Sequence, residues 1–240
     1  MMTLTFRRII GIAFITGLLL QCNSTEKHTL CRLTSKLETL GASEIATSYS
    51  YQDSRLTKET RVEGGITYET AYHYDFNGNV DESTFTTGGV SVKTSYLYNG
   101  LNQLIYTLYT YNGDTTNTYY GYNDFSQLIS KSVSTQSSGG PVLLSSESYE
   151  YADVLTRNPS KITTVTGSNT VVINYLYDNK FNPDRDLVFP SLQHYNNITQ
   201  IIQGSAVETI TYMYNSAGYP VSAVSSSGKT TVWTYDCQEI

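Results

Sequence analysis

The feature that most constrains this chain is a tyrosine pair, Tyr-x-Tyr, which recurs at Tyr49/Tyr51, Tyr72/Tyr74, Tyr96/Tyr98, Tyr120/Tyr122, Tyr149/Tyr151, Tyr175/Tyr177 and Tyr212/Tyr214, with Trp233/Tyr235 as a closing variant. Successive second tyrosines stand 23, 24, 24, 29, 26 and 37 residues apart, and 21 more lead to Tyr235. A period in this range is the signature of stacked supersecondary units, none of which can bury its apolar face alone. Inside one unit, Ser91-Val-Lys-Thr-Ser-Tyr-Leu-Tyr98 sets Val92, Thr94, Tyr96 and Tyr98 on one side and Lys93, Ser95 and Leu97 on the other. That is the period-2 pattern of a half-buried strand. Asn77-Gly78, Asn99-Gly100 and Asn112-Gly113 predict tight hairpin turns, because Asn and Gly tolerate positive φ. Leu56, Val80, Leu104 and Leu128 then open the next strand, each a few residues beyond a second tyrosine. One repeat is therefore one β-hairpin.

Two strands per repeat between Cys31 and Cys237 make about sixteen. The expected fold is all-β: an antiparallel up-and-down meander of tandem hairpins, closed or rolled into a flattened barrel. No stretch after residue 45 places apolar residues at helical spacing over several turns. Tyrosine supplies 22 of the 240 residues, and aromatic cross-strand pairs stabilise sheets by about 0.2–1 kcal/mol each. The motif tyrosines thus read as packing, with an aromatic carbohydrate-binding surface as the alternative. Sixteen strands in a round cylinder enclose a water-filled lumen. A flattened sheet whose tyrosine faces meet is the expectation, and a round, wet barrel is the alternative. Either closure removes exposed edge strands.

The N-terminus differs in kind. Arg7 and Arg8 precede an apolar run from Ile9 to Leu20, with the order and length of a secretory signal rather than a membrane span. Leu19-Leu20-Gln21-Cys22 resembles the lipobox of bacterial lipoproteins, with Gln21 where a small residue is usual. The resemblance implies a signal peptide over 1–21, a lipidated Cys22, a polar tether over 22–29 and a single β-repeat domain over 30–240. A soluble periplasmic or secreted protein is the alternative. Cys31 and Cys237 are the remaining cysteines. An even pair in an oxidising compartment predicts a disulfide, which requires Cα atoms within about 7 Å and so sets the first strand beside the last. Two free thiols are the competing possibility.

Tyr72-His-Tyr-Asp-Phe-Asn-Gly-Asn-Val80 resembles the Tyr-Asp repeat unit of Rhs and teneurin proteins, and Tyr175-Leu-Tyr-Asp178 and Trp233-Thr-Tyr-Asp236 carry part of it. The whole pattern of lipobox, following Cys, Tyr-x-Tyr hairpins and terminal Cys resembles lipoproteins of anaerobic Gram-negative bacteria with a porin-like β-fold. That resemblance implies fold and envelope location, and it implies no activity.

The rhythm slips across residues 179–190, where two prolines, a charge cluster and two phenylalanines interrupt the strands. Loops on rigid scaffolds carry ligand contacts, so Asp184, Arg185, Asp186, Phe189 and His194 are the candidate binding residues. The alternative is a surface insertion followed by a degenerate repeat, with Gln193, Tyr195 and Ile198 in the motif positions. Asp75-Phe-Asn-Gly-Asn-Val-Asp81 presents oxygen ligands that suit Ca²⁺, but a hairpin turn explains them equally and no metal is assigned. The histidines His28, His73 and His194 form no nucleophile–base pattern, and Gly-x-Ser-x-Gly, His-Glu-x-x-His and phosphate-loop motifs are absent. A net charge of −6 without a basic patch argues against nucleic acid. These readings converge on a monomeric lipoprotein of the outer membrane without cofactor, serving as a non-catalytic structural or recognition module for glycan or envelope protein. The alternative function is a sixteen-stranded outer-membrane channel, against which the tyrosine-rich face and short loops speak.

Overall fold

The computed structural model describes residues 29–137, 139–189 and 194–239. The expected signal peptide, the expected lipidation site Cys22 and nearly all of the expected tether lie outside the described residues. The chain forms sixteen antiparallel strands in sequential order, and the first pairs with the last to close a barrel. They are β1 (Thr29–Leu40), β2 (Ser43–Gln52), β3 (Arg55–Glu63), β4 (Ile66–Tyr74), β5 (Val80–Thr87), β6 (Val90–Tyr98), β7 (Leu104–Tyr111) and β8 (Asp114–Tyr122). The second half is β9 (Leu128–Ser137), β10 (Gly140–Tyr151), β11 (Pro159–Thr166), β12 (Asn169–Phe181), β13 (Asn196–Gln203), β14 (Ala206–Tyr214), β15 (Pro220–Ser225) and β16 (Thr230–Glu239). Among the described residues a single 3-10 turn, Pro183–Asp186, lies between β12 and β13.

The seam is covalent. Cys31 and Cys237 face each other in the β1–β16 register and are joined by a disulfide, with Cα atoms 4.0 Å apart.

The tyrosine pairs face the interior, and the second of each pair ties three strands together, except in Tyr212/Tyr214, where Tyr212 donates to the Ile198 carbonyl and Tyr214 to the Asp178 carboxylate. Tyr98 on β6 stands opposite Leu104 on β7, while its hydroxyl donates to the Val80 carbonyl on β5 at 2.9 Å. The same bond runs from Tyr51 to Leu33, Tyr74 to Leu56, Tyr122 to Leu104, Tyr151 to Leu128, Tyr177 to Pro159 and Tyr235 to Pro220. The accepting residues stand at or next to the start of the odd-numbered strands, apart from Leu33 within β1, and Val80 and Leu104 are fully buried. Burial pushes the Tyr51 and Tyr151 phenols up to about 12, so these hydroxyls remain protonated donors.

A one-residue register shift accompanies every such contact. On the odd strand, Thr57, Asp81, Ile105, Ile129, Ser160 and Val221 are each the extra residue opposite a motif pair. Such bulges raise the local twist and bend the strand, which a closing sheet requires.

The barrel has two unlike ends. Turns after odd strands are tight and glycine-rich, as at Gly64-Gly65, Gly88-Gly89 and Asn112-Gly113, all with positive φ. Turns after even strands are mostly wider and built on an Asn or Asp side chain. Asn99 Oδ1 accepts from the N–H groups of Leu101 and Gln103, and Asn123 Oδ1 from those of Phe125 and Gln127. The expected tight turn at Asn99-Gly100 is corrected here: the positive φ falls on Asn102, at 57°, because the Asx side chain spreads the loop over five residues. At Asn77-Gly78 only Gly78 takes positive φ, in the same wide turn.

Candidate functional site

The strand-poor segment after β12 is the least repeat-like part of the fold, and it turns into the lumen. Asn182 caps the 3-10 turn by accepting the Asp184 N–H through its side chain. Leu187 and Val188 then pack on the buried cluster of Leu33, Tyr49 and Leu56 from β1–β3. Phe189 stacks on Tyr96 of β6 with ring centroids 4.7 Å apart. The expected meeting of tyrosine faces is thus made through this inserted segment, and the reading of it as a surface insertion is corrected. Three apolar side chains within Leu187–Phe189 have nowhere else to be buried.

Of the candidate binding residues, Asp184 and His194 reach a common cavity of about 340 Å³. It runs from the inserted turn to Glu208 and Lys229 near the glycine-rich end, against Lys36, Glu38 and Trp233. Arg185 instead stacks over Phe181 and Tyr195, its Cζ 3.7 and 4.7 Å from their centroids. It lines a second cavity of about 630 Å³ at the opposite end. Phe189 borders a third, and the side chain of Asp186 lies outside the described residues. The five candidates do not converge on one point.

Charge inside the cavity is arranged in pairs. Lys36 Nζ lies 3.5 Å from Glu38 and 4.0 Å from Asp184, and Lys229 Nζ lies 2.5 Å from Glu38. Burial pushes the Glu38 carboxyl up, but Lys229 and Lys36 outweigh it and hold the pKa below the usual value. Asp184 is the reverse case: burial raises its pKa despite Lys36, aided by the nearby charge of Glu38. Burial lowers the His194 pKa and keeps the ring neutral, with Nδ1 2.9 Å from the Tyr177 hydroxyl. Asp184 Oδ1 and Trp233 Nε1 are buried without a hydrogen-bond partner, and both residues line this cavity. An orphaned acceptor and an orphaned donor are costly in a native interior, and together they leave capacity for a polar ligand.

Lys36, Glu38, Glu208 and Lys229 are charged lining residues that sequence reading passed over, while Trp233 was read there as a packing residue of the repeat. Glu208 shares the period-2 phase of Ile210 and Tyr212, so its inward position was legible. Lys36 and Glu38 were hidden by the register shift between Leu33 and Ser35, which changes the phase of β1.

Elsewhere the motif residues serve the fold. Asp75 Oδ1 accepts the Asn79 N–H, and Asp81 pairs with His73 at 2.6 Å. Among the described residues, no group of three or more His, Cys, Asp or Glu side chains is placed to hold a metal ion.

No family model matches this sequence, nor does any curated protein. Among solved structures, a porin-like protein from Bacteroides uniformis matches with a TM-score of 0.61 at 16% identity, over 88% of this chain and 98% of that one. A porin-like protein from Bacteroides vulgatus gives a TM-score of 0.46 at 12% identity, over 86% and 99%. The TcdB2-TccC3-Cdc42 complex gives 0.24 at 15% identity, covering 83% of this chain and 15% of that one. At such identity the likeness to the first shows a shared barrel fold. The Tyr-Asp unit resemblance gains nothing from the last.

Proposed function

We propose that this protein is a lipid-anchored, non-catalytic recognition barrel of the cell envelope, which binds a small polar ligand of glycan type in its lumen. The observation that carries this reading is the cavity beside the inserted 182–189 segment. Its volume falls in the range of small-molecule sites. It combines an aromatic wall, Trp233 stacked with Tyr212, with paired amines and carboxylates and two unsatisfied polar atoms. Such a lining offers stacking to a sugar face and hydrogen bonds to its hydroxyls.

Two observations speak against a channel. The inserted segment crosses the lumen from β12 to β1, β2 and β6. The outer wall carries the ion pairs Lys58–Glu69, Lys93–Glu82 and Lys161–Glu150, whereas a transmembrane barrel presents an apolar band to lipid and charged residues there are costly.

A glycan array probed with the processed protein tests the reading. The expected result is saturable binding that is lost in Trp233→Ala and weakened in Lys229→Ala. Absence of any binding, or discrete conductance steps in planar bilayers, contradicts it.

A further inference from the structure

The wide-turn end of the barrel carries large apolar side chains at the tips of four consecutive turns: Phe76, Leu101, Phe125 and Leu155. They are 96, 75, 59 and 88% exposed. In three of these turns an Asx side chain binds the backbone N–H of the apolar residue itself: Asn99 at Leu101, Asn123 at Phe125 and Asp153 at Leu155. The tip side chain is therefore held out on a structured loop. The tight turns of the other end are made of small residues such as Gly41, Ala42, Gly64, Gly65, Gly88 and Gly89. Apolar residues also flank the tight turns, with Leu40, Ile66 and Val207 52, 51 and 53% exposed, but only the wide-turn rim carries them at the tips of four consecutive loops, which is more than scattered surface hydrophobicity.

The start of β1 and its spacing from Cys22 point to what covers this arc. β1 starts at Thr29 and runs away from the wide-turn rim, so the N-terminal segment leaves from that rim. Cys22 precedes Thr29 by seven residues, which can extend at most about 25 Å. The 12 residues of β1 are roughly 40 Å long. Tilted by about 40° in the barrel wall, they still span about 30 Å of height, so a lipid on Cys22 leaves the glycine-rich end out of reach of the bilayer and the wide-turn rim within reach.

We propose that the Phe76, Leu101, Phe125 and Leu155 rim is a lipid-surface docking face that seats the barrel end-on on the outer membrane. The inference rests on the lipid-anchored reading above. The apolar tips enter the headgroup–acyl boundary, about 5–10 Å deep. The ligand cavity beside Trp233, which extends toward the glycine-rich end, then faces away from the membrane, while the cavity of about 630 Å³ lined by Leu101, Phe125 and Leu155 lies at the docked rim. With a chain charge of −6, the attraction is apolar rather than electrostatic: docking on neutral lipid is insensitive to salt, and anionic lipid weakens it by repulsion.

The test uses the full chain, processed and lipidated by the producing cell and reconstituted into phosphatidylcholine vesicles with brominated acyl chains. Tryptophan is introduced by Phe76→Trp or Leu155→Trp at the rim, and by Ala42→Trp at the opposite end, over the constant background of Trp233. The expected result is strong quenching of both rim tryptophans, at a depth of about 5–10 Å, with none at position 42 and no change in high salt. Phe76→Ser, Leu101→Ser, Phe125→Ser and Leu155→Ser combined should leave the protein membrane-bound through its lipid but let it tilt, so that quenching of a Leu144→Trp reporter on the side wall rises. All four positions are exposed, so circular dichroism should be unchanged. Equal quenching at rim and far end overturns the docking face, as does an unquenched rim, which is the expected signature if the arc serves a protein partner instead. The anchored reading is scored separately by mass spectrometry of the N-terminal peptide of the processed protein: if Cys22 carries no acyl chains, that reading fails whatever the rim does.

Discussion

At the scale of single residues, the second tyrosine of every pair but Tyr212/Tyr214 joins side-chain packing to backbone hydrogen bonding. Tyr98→Phe removes the donor to the buried Val80 carbonyl, and should cost about 1–3 kcal/mol because the acceptor is left unsatisfied. Leu104→Ala empties a fully buried position and should cost about 2–5 kcal/mol. Urea denaturation measures both, and a Tyr98→Phe protein as stable as the parent would remove the ladder from the account. The tyrosines and the leucines were visible in the sequence as recurring letters. The bond between them was not, because its acceptor is a main-chain oxygen that carries no mark of residue type. The lumen acids and bases make a second prediction. Burial raises the Asp184 pKa, so its favourable contribution is complete below the free carboxyl range and is lost as pH rises through the folded value. The Asp184→Asn protein should therefore be more stable than the parent at neutral pH, with the gain vanishing in acid. His194 has the opposite sign: its lowered pKa gives stability that is present above the free imidazole range and lost as pH falls through the folded value. His194→Gln should flatten the acid side of a melting-temperature profile.

At the scale of elements, two devices set the shape of each repeat: a wide Asx turn and a bulge immediately after it. The turn places one residue in the left-handed region, filled by Gly78, Asn102, Ser126 and Gly218 in four of the copies. Gly78→Ala puts a Cβ there and 3.0 Å from the Arg55 guanidinium, and should cost about 1–2 kcal/mol. Ser126→Gly relieves the same strain and should not destabilise; chemical denaturation of the pair separates the two effects. Period-2 alternation and Asn-Gly pairs made the hairpins legible. They misled at Asn99-Gly100, because an Asx side chain that bonds two N–H groups lengthens the loop in a way the dipeptide alone does not reveal. The bulges were hidden for a related reason: an apolar residue such as Ile105 or Ile129 next to a buried leucine reads as continued strand, yet it is the unpaired residue that lets the leucine face inward.

At the scale of the whole molecule, the strand count and closure followed from the repeat number and the two flanking cysteines. The filling of the lumen did not. A broken rhythm between Tyr177 and Tyr212 reads equally well as an outer loop or an inserted segment, and only the barrel's own interior, rimmed with half-buried tyrosines, decides that Leu187 to Phe189 turn inward. Opening the seam should be costly: the disulfide spans 206 residues, and the chain-entropy model assigns about 5 kcal/mol to a loop of that size. Reduced protein should accordingly melt at a lower temperature, with the loss shared by Cys31→Ala. Everything proposed for the lumen and the rim assumes that the first and last strands are neighbours. Peptide mapping of the unreduced full chain tests this most directly. The account predicts one cross-linked fragment containing Cys31 and Cys237, while free thiols at both positions, or either one paired to Cys22 or to another molecule, would contradict it.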